Sequence, residues 1–334
     1  MTNRERIVAA LEHRQPDKTP DHIEFTIRMR ERMAAYYGDP DFEARIGNAI
    51  SVLSTQLPDG WREVEPNIWE DEFGVRWNRE VDRDIGVVCN RVVSPDTLDA
   101  VTFPDPDDPR RYASYPAARA AAPDQFLLVN LGFSLFERAW TLCGMEELLL
   151  AMAANPPFVH RLLDRILEHN LTRIARSCAH DIDAMLFGDD WGSQRGLIMG
   201  PVMWREYIKP RVREMYQAVR RHGKYVFIHS CGCVGELFPE LIECGVHCFN
   251  PFQPEVMDPI EMKRQYGDAL SFYGGISTQR SLPYADPQAV RDQVRRLVDE
   301  VGRNGGYIAA PAHAVPADAR PENVAAMIEV LQNQ

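Results

Sequence analysis

Gly223-Lys-Tyr-Val-Phe-Ile-His-Ser-Cys-Gly-Cys233 is the stretch that decides the fold. Its middle, Tyr225 to Ile228, is apolar, β-branched and aromatic, is closed by glycines, and follows the amphipathic segment Trp204 to His222. A short continuous apolar run after a helix predicts a strand buried on both faces, as in a parallel sheet. The strand runs out in His229 and Cys231. Residues two apart on an extended chain point the same way, so an imidazole and a thiolate converge there and can share one ion. Strand-end His and Cys are also common as satisfied core groups, and the pair alone leaves the two readings balanced. A second stretch tips the balance: Tyr307-Ile-Ala-Ala-Pro-Ala-His-Ala-Val315 is another apolar strand ending in a histidine, His313.

Working outward, strands alternate with helices from Gln125 on, the pattern of a parallel sheet. Phe126 to Leu131, Ala184 to Phe187, His247 to Asn250, Ala269 to Tyr273 and Tyr307 to Ala310 read as strands, with helices at Phe158 to Ala179, Leu237 to Cys244 and Pro287 to Arg303. At the start, Thr2-Asn-Arg-Glu5 has the form of a capping box, and His22 to Ile27 reads as the first strand, followed by Arg28 and Arg30. One further strand is hidden in the poorly patterned middle, which brings the count close to eight β/α units. The predicted fold is a TIM (β/α)8 barrel forming one domain over residues 1–334. Between about 56 and 116 helical periodicity disappears. There Phe73 to Trp77 and Gly86 to Val93 read as paired antiparallel strands of an inserted lid.

The 334 residues are 45% hydrophobic, enough for a sizeable core. A net charge of -12 argues against nucleic acid and against an anionic membrane surface. No apolar run approaches a membrane span and no leader pattern opens the chain, so the expected location is cytoplasmic. Seven cysteines in so long a chain suggest reduced thiols rather than a disulfide framework. Small molecules or another protein are the expected partners, and a homodimer is compatible with all of this.

Polar residues collect just after the predicted strands: Asp189, Asp190, His229, Cys231, Asn250, Gln253 and His313. Barrel enzymes place their sites on that face. Two nitrogens and a sulfur favour zinc over hard, oxygen-loving ions. Three protein ligands would leave a position open for substrate or water, whereas a structural zinc would be closed by a fourth, for which Cys233 or a carboxylate is the candidate. Asp189 and Asp190 suit a general acid and base, with capping of the next helix the better reading for one of them. Asn250 and Gln253 are placed to bind substrate. Trp191 and Tyr273 suit a pocket wall or simply the core, and Arg28 suits an anion or a solvated helix start.

Taken together, Asp189-Asp-Trp-Gly-Ser-Gln194, Pro201 to Pro210, His229-Ser-Cys-Gly232, Asn250-Pro-Phe-Gln-Pro254, Gly274-Gly-Ile-Ser-Thr-Gln279 and Pro321-Glu-Asn323 resemble the uroporphyrinogen decarboxylase superfamily. The closer resemblance is to its cobalamin-dependent methyltransferase branch. Arg4 to Asp17 and Asp71-Glu-Phe-Gly-Val-Arg-Trp77 also fit, so the resemblance covers nearly the whole chain. True decarboxylases carry Arg-Gln-Ala-Gly-Arg after the first strand to hold the tetrapyrrole carboxylates. Here that region is Thr26-Ile-Arg-Met-Arg30.

The resemblance to the methyltransferase branch implies zinc held by the His229 and Cys231 positions plus a cysteine from the last strand, whose place here is taken by His313. A less thiolate-rich set leaves zinc a stronger Lewis acid, suited to a methoxy oxygen. The expected function is zinc-dependent methyl transfer from a small methylated donor, with an aromatic methyl ether favoured, to the cob(I)alamin of a partner corrinoid protein. The alternatives are a decarboxylase-like lyase, or transfer from a methylated corrinoid to a thiol or folate.

Overall fold

The structure is a computed structural model describing residues 1–334. Seven parallel strands follow one another in chain order around a curled sheet: β1 (Ile50–Ser54), β2 (Phe126–Phe133), β3 (Ala184–Gly188), β4 (Tyr225–His229), β5 (Cys248–Phe252), β6 (Ser271–Ile276) and β7 (Tyr307–Pro311). The eighth stave is the segment from Pro20 to Phe25. It meets β7 through a parallel bridge at Asp21 to Ala309, and the loop after β7 through a second at Phe25 to Val315. On its other edge Ala49 N–H donates to Asp21 O at 2.9 Å, and the Asn48 amide bonds both the N–H and the carbonyl of Ile23. That closes a TIM barrel.

Two expectations need correction. The first stave stops short of Ile27, because Thr26 caps a helix at Ile27–Tyr37 and its hydroxyl accepts from Met29 N–H. The hidden strand lies just before the poorly patterned region, at β1, where only Ile50 is buried and the following side chains are part-exposed or exposed. The insertion is a four-stranded antiparallel sheet of Trp61–Glu65, Ile68–Asp71, Arg76–Asn78 and Val87–Val88. Trp77 pairs with Val88 as the sequence suggested, and the two strands ahead of that hairpin are new.

Strand alternation divides the core. Phe126, Leu128, Phe227 and Ile308 pack inside the barrel, while Val129, Val226, Ile228 and Ala309 face the surrounding helices. Burying each such aliphatic or aromatic side chain contributes about 1.5–3 kcal/mol. The opening helix, Asn3–Leu11, carries the expected capping box at Thr2 and Glu5 and plugs the bottom of the barrel with Ile7 and Leu11. The C-terminal mouth stays open, and the next inward-facing position on each strand lines it.

The insertion is tied to the rim by buried charges. Arg138 meets Asp71 at 2.8 Å, and Arg111 meets Glu72 at 2.6 Å and donates to the Thr55 carbonyl at 3.0 Å. Trp77 stacks on Phe133 at the end of β2, with ring centroids 5.3 Å apart. No helix is long and apolar enough to cross a membrane.

Candidate metal and substrate site

A cavity of about 480 Å³ fills the barrel mouth, lined by strand tips and by the insertion residues Trp61, Arg79, Asp84 and Ile85. Its lining follows from the pleat. His229 is two residues beyond the inward Phe227, Asn250 two beyond Cys248, Asn130 two beyond Leu128, and Leu186 two beyond Ala184.

On the floor the structure brings together three of the sequence-derived residues. One donor atom each from His229, Cys231 and His313 lies within 4.8 Å of the others, and Cys231 Sγ is 3.4 Å from His229 Nε2. The His229 and His313 rings meet edge to face at 5.9 Å. Cys233 is outside this group. Its N–H is bonded to Ser193 O at 2.8 Å.

Asn250 sets the chemistry of His229. Its Nδ2 donates to Tyr273 O at 3.1 Å, which turns Oδ1 toward His229 Nδ1 at 2.5 Å. Since that oxygen only accepts, Nδ1 carries the proton and Nε2 presents its lone pair to Cys231 and His313. The loop bearing Cys231 is fixed from both sides. Asp190 accepts from Cys231 N–H at 2.7 Å, Ser230 Oγ accepts from Trp191 N–H at 3.0 Å, and Gln253 Oε1 accepts from Gly232 N–H at 2.8 Å. Gly232 has φ +82°, and a Cβ there would lie 2.5 Å from Gly192, so only glycine lets the two loops touch.

The donor set is chemically suited to zinc: two imidazoles and a thiol at a converging point, with the orienting hydrogen bond already made. Burial, with Asp190 beside it, holds the Cys231 thiol well above its ordinary pKa. A bound cation would reverse that preference. His313 is lowered, first by the protein packed around it and then by His229, which keeps it in the neutral form a metal needs. Solvent still reaches its ring through the open mouth.

The two adjacent aspartates separate by role. Asp190 lines the cavity, with Oδ1 3.9 Å from His229 Nε2. Asp189 is fully buried away from it, accepting from Glu137 N–H at 2.8 Å, Leu135 N–H at 3.3 Å and Trp191 Nε1 at 2.7 Å. It caps the helix Phe136–Cys143, which has no capping side chain of its own, and burial pushes its pKa up to about 6. Asn250 and Tyr273 line the cavity, whereas Trp191 and Gln253 are buried behind it as supports. Arg28 lies outside, its guanidinium 3.4 Å from Val81 O.

Sequence reasoning passed over Glu137, Glu24, His22 and Arg79, all in the lining. Glu137 is buried at the cavity edge. Burial first, then the charges of Asp190 and Asp189, raises its carboxyl well above the ordinary range. Glu24 is lowered, chiefly by its hydrogen bond to His22 Nε2 at 3.2 Å. The signal for Glu137 was its place at the start of the helix that follows β2, in Phe136-Glu-Arg138.

The pattern of the uroporphyrinogen decarboxylase (URO-D) family matches residues 71–334. The chain is 24% identical to uroporphyrinogen decarboxylase of Methylococcus capsulatus over 180 residues, 54% of this chain and 50% of that protein. Against the Shewanella loihica enzyme it is 22% identical over 250 residues, covering 70% and 68%. It thus spans about half the length of the first relative and about two thirds of the second. A solved structure described as a methyltransferase from Methanosarcina mazei superposes with a TM-score of 0.74 at 16% identity, covering 100% of this chain and 99% of that one, which shows a shared fold. The chain belongs to the uroporphyrinogen decarboxylase family.

Proposed function

We propose that this protein is a zinc-dependent methyltransferase that moves a methyl group from a small methylated donor, favoured as an aromatic methyl ether, to the cob(I)alamin of a partner corrinoid protein. The observation that carries the reading is the convergence of His229, Cys231 and His313 on the floor of an open cavity. Those three residues would hold zinc, which supplies a Lewis acid for the donor's methylated heteroatom. The fold shared with a structure described as a methyltransferase supports the same reading.

The chain's own groups account for the rest. Asn250 keeps the proton on His229 Nδ1, leaving Nε2 free to bind. Asp190 steadies the Cys231 loop beside the reacting position. Glu137, whose carboxyl burial pushes toward the neutral form, can deliver a proton to the departing heteroatom, so that the ether leaves as a neutral hydroxyl compound. Phe133, Trp61, Leu128 and Leu186 give the donor an apolar wall that displaces water.

The decarboxylase reading has the names of the relatives behind it. It demands cations for a polyanionic tetrapyrrole, and the lining offers one arginine against Glu24, Asp84, Glu137 and Asp190. The test is an anaerobic assay of the zinc-loaded chain with a reduced corrinoid protein and methoxylated aromatics, following the corrinoid spectrum. Donor-dependent methylation that Cys231→Ser reduces at least about 100-fold supports the proposal. Decarboxylation of uroporphyrinogen, with no methyl transfer to corrinoid, overturns it.

A further inference from the structure

Arg79 is the only lysine or arginine in the cavity lining, and it comes from the insertion, whereas Glu24, Glu137 and Asp190 come from the barrel. Its guanidinium lies 4.2 Å from the ring centroid of Trp61 and 5.4 Å from that of Trp69. Its Nε donates to Ile85 O at 3.2 Å. The nearby acids are otherwise engaged. Asp84 Oδ1 accepts from Ile27 N–H at 3.0 Å, and Asp82 accepts from the backbone of Asp84, Ile85 and Gly86. Each exerts only a through-space pull on Arg79 and forms no ion pair with it.

An arginine half-removed from water without a carboxylate partner leaves favourable hydrogen bonds unmade. Stacking on indole leaves the guanidinium edge free, and that edge matches a carboxylate with two parallel bonds. We propose that Arg79 anchors a carboxylate on the methylated donor, so that the site selects methoxylated carboxylic acids over neutral methyl ethers. This rests on the methyltransferase reading above and adds the substrate class. The cavity has room for one small aromatic acid.

The test is calorimetric titration of the full chain with para-methoxybenzoate and its neutral analogue para-methoxybenzamide, for the parent, Arg79→Gln and Arg79→Lys. The parent should bind the acid about 10- to 100-fold more tightly than the amide, the range expected of charge-assisted hydrogen bonds. Arg79→Gln should abolish the preference, and Arg79→Lys should keep part of it, since an ammonium supplies charge without the fork. Unchanged amide binding in both variants shows that the cavity is intact. Equal binding of acid and amide, no binding of the acid, or an acid preference that survives Arg79→Gln overturns the proposal. Binding is read here without methyl transfer. An acid held through Arg79 but never demethylated would therefore count against the methyltransferase reading and not against the anchor.

Discussion

Asn250 would govern a bound ion without touching it. Its bond to His229 Nδ1 fixes both the tautomer and the angle of the ring, and such orienting partners are typically worth about 10–100-fold in metal affinity. Asn250→Ala should therefore weaken zinc binding by about that factor in a chelator competition, while circular dichroism stays unchanged. Glu137 supports a second test, with a definite sign. Its folded pKa is raised, so its stability contribution is full below the unfolded value of about 4.3 and is lost as pH climbs toward the folded one. Glu137→Gln removes that loss, so its Tm relative to the parent should rise as pH climbs above the ordinary carboxylate range, while its methyl-transfer rate falls about 100-fold or more. A Tm difference that does not grow with pH would show that the carboxyl is not held protonated. At this scale the sequence carried residue type and strand-end position, which is how His229, Cys231 and His313 stood out. It could not separate Asp189 from Asp190, because which of two neighbours turns into a helix terminus depends on where β2 and its helix pack.

Elements were legible where burial on both faces leaves a continuous apolar run, as in β2, β4 and β7. They were illegible where something else replaces that signal. β1 is only half-buried, and the eighth stave is closed partly by the Asn48 side chain instead of a full ladder. The insertion was recognisable as a break in periodicity, but its docking was not, since that depends on ion pairs between residues far apart in the chain. Arg111 and Glu72 are the clearest of these: the Arg111 side chain is fully buried, and it also bonds the Thr55 carbonyl just past β1. Arg111→Ala leaves Glu72 buried without its partner. A loss of about 3–5 kcal/mol is expected in urea denaturation, with amide exchange in residues 61–88 accelerated first. Normal exchange protection there would show that the insertion does not depend on this pair.

Across the whole molecule, the barrel plugs its lower end with the opening helix and leaves its upper end to chemistry. The insertion adds one wall to that upper end, and it sets a single arginine opposite the barrel's Glu24, Glu137 and Asp190. This asymmetry separates the protein's proposed role from the tetrapyrrole chemistry named for its relatives. Metal content can be weighed directly. Untagged protein purified without chelator and supplied with zinc should be assayed by plasma mass spectrometry, together with Cys231→Ser and His313→Ala. Near-stoichiometric zinc in the parent that falls sharply in both variants, with circular dichroism unchanged, is the expected result. A parent that holds no zinc, or variants that hold as much as the parent, would contradict the site and the methyl-transfer chemistry built on it.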